Sequence, residues 1–226
     1  MLKARLTAIK NDYTIALLLC ENTPRDPLPE GLEYSEIELP NEPLVLRQVH
    51  GGTVHYIDSV KVTEETRGAF GDGFIVTKPG IAVGVITADC IPLVITEAEG
   101  RCVAVLHCGW KSLATGIVDN ALSLILNTEG VRKENLRFVM GPGILGSEYE
   151  VGPEVAVRFP ESTKLIDENK YLLDLPVEIA HRLSKYGIES SAINSTGIST
   201  FSNEWLPSYR RDGDKAGQIL ILAWIK

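Results

Sequence analysis

The sequence predicts an α+β fold of many short strands with two or three helices, in a single domain over residues 1–226. Three observations lead there. Short, β-branched apolar runs bounded by turn residues recur along the chain. Few segments carry helical periodicity, and strands do not alternate regularly with helices as a doubly wound parallel sheet demands. No internal repeat and no Gly/Ser- or Pro-rich linker splits the chain.

The first predicted strand covers residues 13–20. Lys3 and Arg5 ahead of it imitate a secretory leader, but Asn11 and Asp12 interrupt the apolar run and no small-x-small cleavage site follows, so a strand is expected. Further strands are predicted at 44–49, 53–57, 73–77, 81–86, 93–96, 102–106, 136–140, 189–193 and 218–225. From Ser112 onward, Leu113, Ile117, Ala121 and Leu124 recur at helical spacing and predict one continuous amphipathic helix. A second helix is predicted after Asp174 as its cap. Pro176 lies in its first turn, Leu175, Ile179, Leu183 and Tyr186 share one face, and Gly187 stops it. A short third helix is expected near Pro153.

Composition restricts the partners. With 44% hydrophobic and 23% charged residues the chain is ordinary for a globular protein. Its 22 basic and 30 acidic side chains give a net charge of −8 without any Lys/Arg run, which argues against a nucleic-acid groove or an anionic membrane surface as the main partner. The apolar segment Ile219–Ile225 is far shorter than the roughly 20 residues a membrane helix needs. Small molecules are the expected ligands. Cys20, Cys90, Cys102 and Cys108 form no Cys-x-x-Cys pair, which predicts reduced thiols and a cytoplasmic protein.

The polar residues that stand out lie at predicted strand ends: Arg47-Gln48-Val49-His50-Gly51, Ala88-Asp89-Cys90 and His107-Cys108-Gly109-Trp110. Side chains on turns after rigid strands converge readily at one rim. His50, Cys90 and His107 would then form a two-imidazole, one-thiolate zinc set with an open fourth position for water. The alternatives at this level are solvated histidines and a small core cysteine. His55 follows His50 at an offset that turns it to the other strand face, and His181 flanks an amphipathic helix, so neither joins the set.

Lys111 and Ser112 open a helix after Gly109. They are read either as donors to an anion or, more simply, as helix entry with Ser112 as the cap. Arg210, Arg211 and Asp212 form a basic pair beside a carboxylate, for which a surface salt bridge is the simpler reading. Gly141-Pro142-Gly143-Ile144-Leu145-Gly146 matches G-x-G-x-x-G but is followed by Ser147-Glu148-Tyr149, not directly by a helix, which argues against a dinucleotide fold. Nucleophile-elbow, P-loop and base-deaminase signatures are absent.

Taken together, Gln48-Val49-His50-Gly51, Asp72 to Thr77, Ala88-Asp89-Cys90-Ile91-Pro92, His107-Cys108-Gly109-Trp110, Gly141-Pro142 with Tyr149-Glu150-Val151-Gly152, and Ser208-Tyr209-Arg210-Arg211-Asp212-Gly213 stand in one order. That order resembles the YfiH/YlmD family over roughly residues 40–226. The family was long labelled polyphenol oxidase or multicopper laccase. The resemblance implies a zinc-dependent purine nucleoside phosphorylase with adenosine deaminase and methylthioadenosine phosphorylase activities, and a single domain of layered mixed β-sheets flanked by helices, similar in its Cys–His arrangement to deamidating bacterial toxins. It implies His50, Cys90 and His107 as ligands of one Zn2+ per chain, and inorganic phosphate as co-substrate. Cys108, Lys111-Ser112 and Ser199-Thr200 depart from the family's usual Ala, Arg-Gly and Cys-Thr.

On this reading Asp89 either shuttles a proton during attack of activated water at C6 of adenosine or orients a ligand histidine. Arg47, Lys111, Arg210 and Arg211 are expected to supply cationic donors to phosphate, and Tyr209 to stack on or hydrogen-bond to the nucleoside. Other classes compete with this one. A metal-free cysteine hydrolase would use Cys90 as nucleophile and His107 as base. A copper-dependent phenol oxidase would need more histidines than the four present. A non-enzymatic module would bind nucleosides without turnover.

Overall fold

The computed structural model describes residues 2–10, 13–19, 35–37 and 39–226. Two six-stranded mixed sheets form the frame. The first has the order Ser35–Ile37, Leu2–Lys10, Tyr13–Leu19, Ile219–Ile225, Val83–Thr87, Leu44–Val45; the second runs Ile193–Ser195, Leu136–Met140, Ile91–Glu97, Val103–Cys108, Gly73–Val76, Val54–Ile57. Most neighbours are antiparallel, with parallel pairs at Leu44–Val45 on Val83–Thr87, at Val54–Ile57 on Gly73–Val76 and at Leu136–Met140 on Ile193–Ser195. The layered α+β architecture read from the sequence is the one observed.

The two sheets pack face to face. Leu44, Val83, Val85, Ile219 and Ile221 of the first meet Phe74, Val76, Val94, Val103 and Val105 of the second in one buried cluster. Ile91–Glu97 and Val103–Cys108 are buried at every position because both their faces are covered, so they read as continuous apolar runs. On the far face of the second sheet lie the helices Ile117–Leu126 and Leu175–Lys185, with a three-stranded sheet of Glu150–Val151, Lys170–Leu173 and Thr163–Asp167. Asp174 caps its helix as predicted, accepting the Val177 N–H at 2.9 Å. Such a cap contributes about 1 kcal/mol.

Several elements differ from the reading. The single helix predicted from Ser112 is two, Trp110–Ala114 and Ile117–Leu126, because Gly116 adopts φ 79° between them. That break rotates the second helix, so Val118 and Leu122 are buried and Leu124 is exposed. Ser112 is no cap: Gly109 takes that position without a side-chain hydrogen bond, and the Ser112 hydroxyl is buried without a hydrogen-bond partner among the described residues. The strand predicted over 44–49 ends at Val45. Beyond it Arg47 bridges to Phe70, and the Gln48 carboxamide takes over the ladder, donating to Ile86 O and accepting from Ile86 N–H, both at 2.7 Å. The 189–193 run is a 3-10 turn, Ser190–Ala192, before the strand Ile193–Ser195. Cys20, the predicted end of the first strand, lies outside the described residues.

Candidate metal centre

Val83–Thr87 belongs to the first sheet and Ile91–Glu97 to the second, so the turn at 88–90 carries the chain from one layer to the other. Cys90 stands on that crossing. His107 is next to last in Val103–Cys108, opposite Pro92 in the ladder, which puts it beside Cys90. His50 arrives from the loop after Leu44–Val45 at φ 56°, a left-handed conformation uncommon for a non-glycine residue. The ligand atoms of His50, Cys90 and His107 all lie within 4.8 Å of one another. The two imidazoles meet edge to face with centroids 4.7 Å apart.

One carboxylate builds this arrangement. Asp72, fully buried just before Gly73–Val76, accepts the N–H groups of Val49 at 3.2 Å, His50 at 2.9 Å and Gly51 at 2.7 Å, which fixes the left-handed turn. Its Oδ1 also accepts from His107 Nδ1 at 2.9 Å, and its backbone carbonyl accepts the His107 N–H at 2.8 Å. Nδ1 of His107 is thereby a donor, and Nε2 is left free to face Cys90 and a metal. The sequence reading included Asp72 only as the start of a motif and gave it no role.

The electrostatics follow. Burial works to raise the Asp72 carboxyl, but the His107 bond and the Gly51 and Val49 amides prevail and hold it below the usual carboxylate range. Burial alone would push the Cys90 thiol up; hydrogen bonds from His107 and His50 bring it down to about 7. His107 moves the other way, to about 9, since Asp72 and Cys90 outweigh its own burial. Cys102 is pushed up to about 12 by burial and Cys108 is raised further, so neither is a reactive thiol. Gly109 has to be glycine: a Cβ there would stand 2.6 Å from Cys90 Sγ.

The three residues open into a cleft of about 720 Å³. Lys111, Tyr209 and Arg210 line it, together with Trp110 and Tyr149. The Lys111 ammonium lies over the Trp110 ring and the Arg210 guanidinium over Tyr149, 5.6 and 5.0 Å from the centroids, and Arg210 Nη1 donates to Glu150 O at 2.8 Å. Burial pushes the Tyr149 phenol up to about 12, so it stays neutral.

Three expected roles do not match the geometry. Arg47 does not line the cleft; its guanidinium sits 5.8 Å from the Phe70 centroid, because its backbone is bonded to Ala69 and Gly71 on the outer side. Arg211 points inward and donates to the carbonyls of Thr200, Phe201 and Leu206, leaving no fork for phosphate. Asp89 lines the cleft but bonds Thr200 Oγ1 and the Arg210 N–H, each at 2.6 Å; the carboxylate that orients a histidine is Asp72. His55 Nε2–H donates to Phe70 O at 2.9 Å, and His181 lies 3.9 Å from Glu178, both away from the centre.

Comparison with known proteins places the chain in a family. Residues 32–226 match the family model described as "Multi-copper polyphenol oxidoreductase laccase". The chain is 31% identical over 194 residues to "Purine nucleoside phosphorylase YfiH" of Shigella flexneri, covering 83% of this chain and 75% of that protein. It is 29% identical over 200 residues to a purine nucleoside phosphorylase of Xylella fastidiosa, covering 83% and 74%. The crystal structure of the Bacillus licheniformis protein YfiH superposes with a TM-score of 0.80 at 19% identity, over 95% of this chain and 93% of that one.

Proposed function

From the premise that the chain belongs to the YfiH/YlmD family, whose model spans residues 32–226, we propose that it is a zinc-dependent purine nucleoside phosphorylase with adenosine deaminase activity. Adenosine, inosine, guanosine and methylthioadenosine are its proposed substrates, with inorganic phosphate as co-substrate. The observation that carries the proposal is the convergence of His50, Cys90 and His107 at the wall of a cleft that also presents Lys111 and Arg210.

One thiolate and two imidazoles suit zinc, and the Asp72 bond that leaves His107 Nε2 free is the partner such ligands usually have. When bound there, zinc supplies a Lewis acid that activates water or polarises the substrate. The chain's own residues do the rest. Lys111 and Arg210 hold phosphate by charge and hydrogen bonds, while the faces of Trp110, Tyr149 and Tyr209 offer stacking surface for the base. In phosphorolysis a phosphate oxygen forms the new bond to the anomeric carbon as the C–N bond breaks; the purine leaves with the electron pair and takes up a proton. In deamination water adds at C6 and ammonia leaves.

The test is product analysis after incubation of the zinc-loaded protein with adenosine. Adenine and ribose 1-phosphate, formed only with phosphate present, support phosphorolysis, and inosine supports deamination. Absence of both products overturns the proposal.

A second reading draws on the same geometry. Cys90, His107 and Asp72 stand in the order of a thiol–imidazole–carboxylate triad, as a metal-free cysteine hydrolase would require. Rapid inactivation of an active, zinc-free sample by a thiol alkylator would favour it. For a multicopper oxidase the donors are too few: among the described residues His50, Cys90 and His107 form the one cluster able to hold a metal.

A further inference from the structure

Asp89 is next to the ligand Cys90 in sequence, yet its carboxylate turns toward a different part of the chain. Oδ1 accepts the Thr200 hydroxyl and Oδ2 the Arg210 backbone N–H, each at 2.6 Å, and its carbonyl accepts the Ile144 N–H at 2.8 Å. The residue is held at φ 92°, a conformation a non-glycine residue keeps only where its surroundings fix it. Arg211 grips the same segment from the other side, its guanidinium donating to Thr200 O at 2.8 Å, Phe201 O at 3.0 Å and Leu206 O at 2.7 Å. Ser208 adds a cap to the Arg211 N–H at 3.2 Å. Thr200 and Ser208 are fully buried, whereas Tyr209 and Arg210, between Ser208 and Arg211, are exposed and line the cleft.

We propose that Asp89 is a positioning residue: with Arg211 it clamps the wall bearing Tyr209 and Arg210 to the turn that carries Cys90, and so sets substrate affinity and leaves proton transfer to other groups. The clamp stands on the hydrogen bonds alone; that its effect appears in nucleoside and phosphate binding rests on the proposed function.

Asp89→Ala and Asp89→Asn, prepared as full-length zinc-loaded chains, separate the two roles. Asparagine keeps both contacts, since its Oδ1 accepts the Arg210 N–H and its amide donates to the Thr200 hydroxyl. Both variants are expected to retain wild-type zinc content. Asp89→Asn should keep kcat and its pH profile within about twofold. Asp89→Ala should raise KM for phosphate and adenosine roughly tenfold or more, with a smaller change in kcat. Amide hydrogen exchange across residues 199–213 should accelerate in the alanine variant and not in the asparagine variant.

A collapse of kcat in Asp89→Asn with loss of one limb of the pH profile would overturn the clamp in favour of proton transfer. Unchanged KM and unchanged exchange in Asp89→Ala would overturn it as well. Should the alanine variant fail to fold, Thr200→Val, which removes one of the two bonds, is expected to raise KM by a smaller factor, and no change there counts against the proposal. If wild-type protein turns over no nucleoside, the proposed function fails alone, and the exchange comparison still decides the clamp.

Discussion

Asp72 Oδ1 accepts from His107 Nδ1 at 2.9 Å while the same carboxylate holds the His50 backbone N–H at 2.9 Å, so one buried residue sets both imidazoles of the candidate centre. It fixes a tautomer at one ligand and a left-handed turn at the other.

Asp72→Asn keeps the shape but loses the charge that favours donation from His107. We expect metal affinity to fall about 10- to 100-fold, measured by competition with a chromogenic chelator. Unchanged affinity would mean that Asp72 only shapes the loop.

Gly109→Ala places a methyl 2.6 Å from Cys90 Sγ, in a backbone fixed between strand and helix. The expected result is a folded protein with metal content and turnover reduced at least about tenfold, read by elemental analysis beside a thermal melt. Full metal loading would show that the sulfur has room to move.

In the metal-free protein the Cys90 and His107 shifts define a pH window. The thiol is lowered from 9.0 to about 7, so its stabilising contribution is present at high pH and is lost as pH falls through about 7. The imidazole is raised from 6.5 to about 9, so its contribution is present at low pH and is lost as pH rises through about 9. Between about 7 and 9 the folded chain carries one proton on His107 and the unfolded chain one on the thiol, so the two dependences cancel and the melting temperature of the metal-free form should be level there as far as this pair sets it. Ultraviolet difference spectra of the metal-free protein against Cys90→Ser that show no thiolate absorbance in that range would contradict the thiolate–imidazolium pairing.

Lys111→Met should raise KM for phosphate by roughly tenfold through loss of a cationic donor, whereas Arg47→Met, which only uncovers Phe70, should change it by less than about twofold. Steady-state kinetics at varied phosphate separates the two. The reverse ranking would move the anion site to the outer face of the Arg47 loop.

Much of the fold was legible because buried strands such as Ile91–Glu97 carry short apolar runs rich in β-branched residues, and because Asp174, Pro176 and Gly187 mark their helix by local chemistry. The hairpin Thr163–Asp167 and Lys170–Leu173 escaped notice since its side chains are largely exposed and show no apolar alternation. The break at Gly116 was hidden by side-chain periodicity that runs on across it. At the site, the types and order of His50, Cys90 and His107 pointed to a common centre. The destinations of charged side chains did not show: Arg211 and Asp89 are spent on loop anchoring, and Asp72 acts largely through backbone amides of residues far from it in sequence. Such pairings exist only once the two sheets are packed.

Metal stoichiometry by native mass spectrometry, on the wild-type chain and on Cys90→Ser, tests the central claim most directly. The account predicts one zinc per wild-type chain and little or none in the variant at the same free zinc concentration. Several coppers per chain, or a Cys90→Ser protein that holds its zinc undiminished, would contradict it.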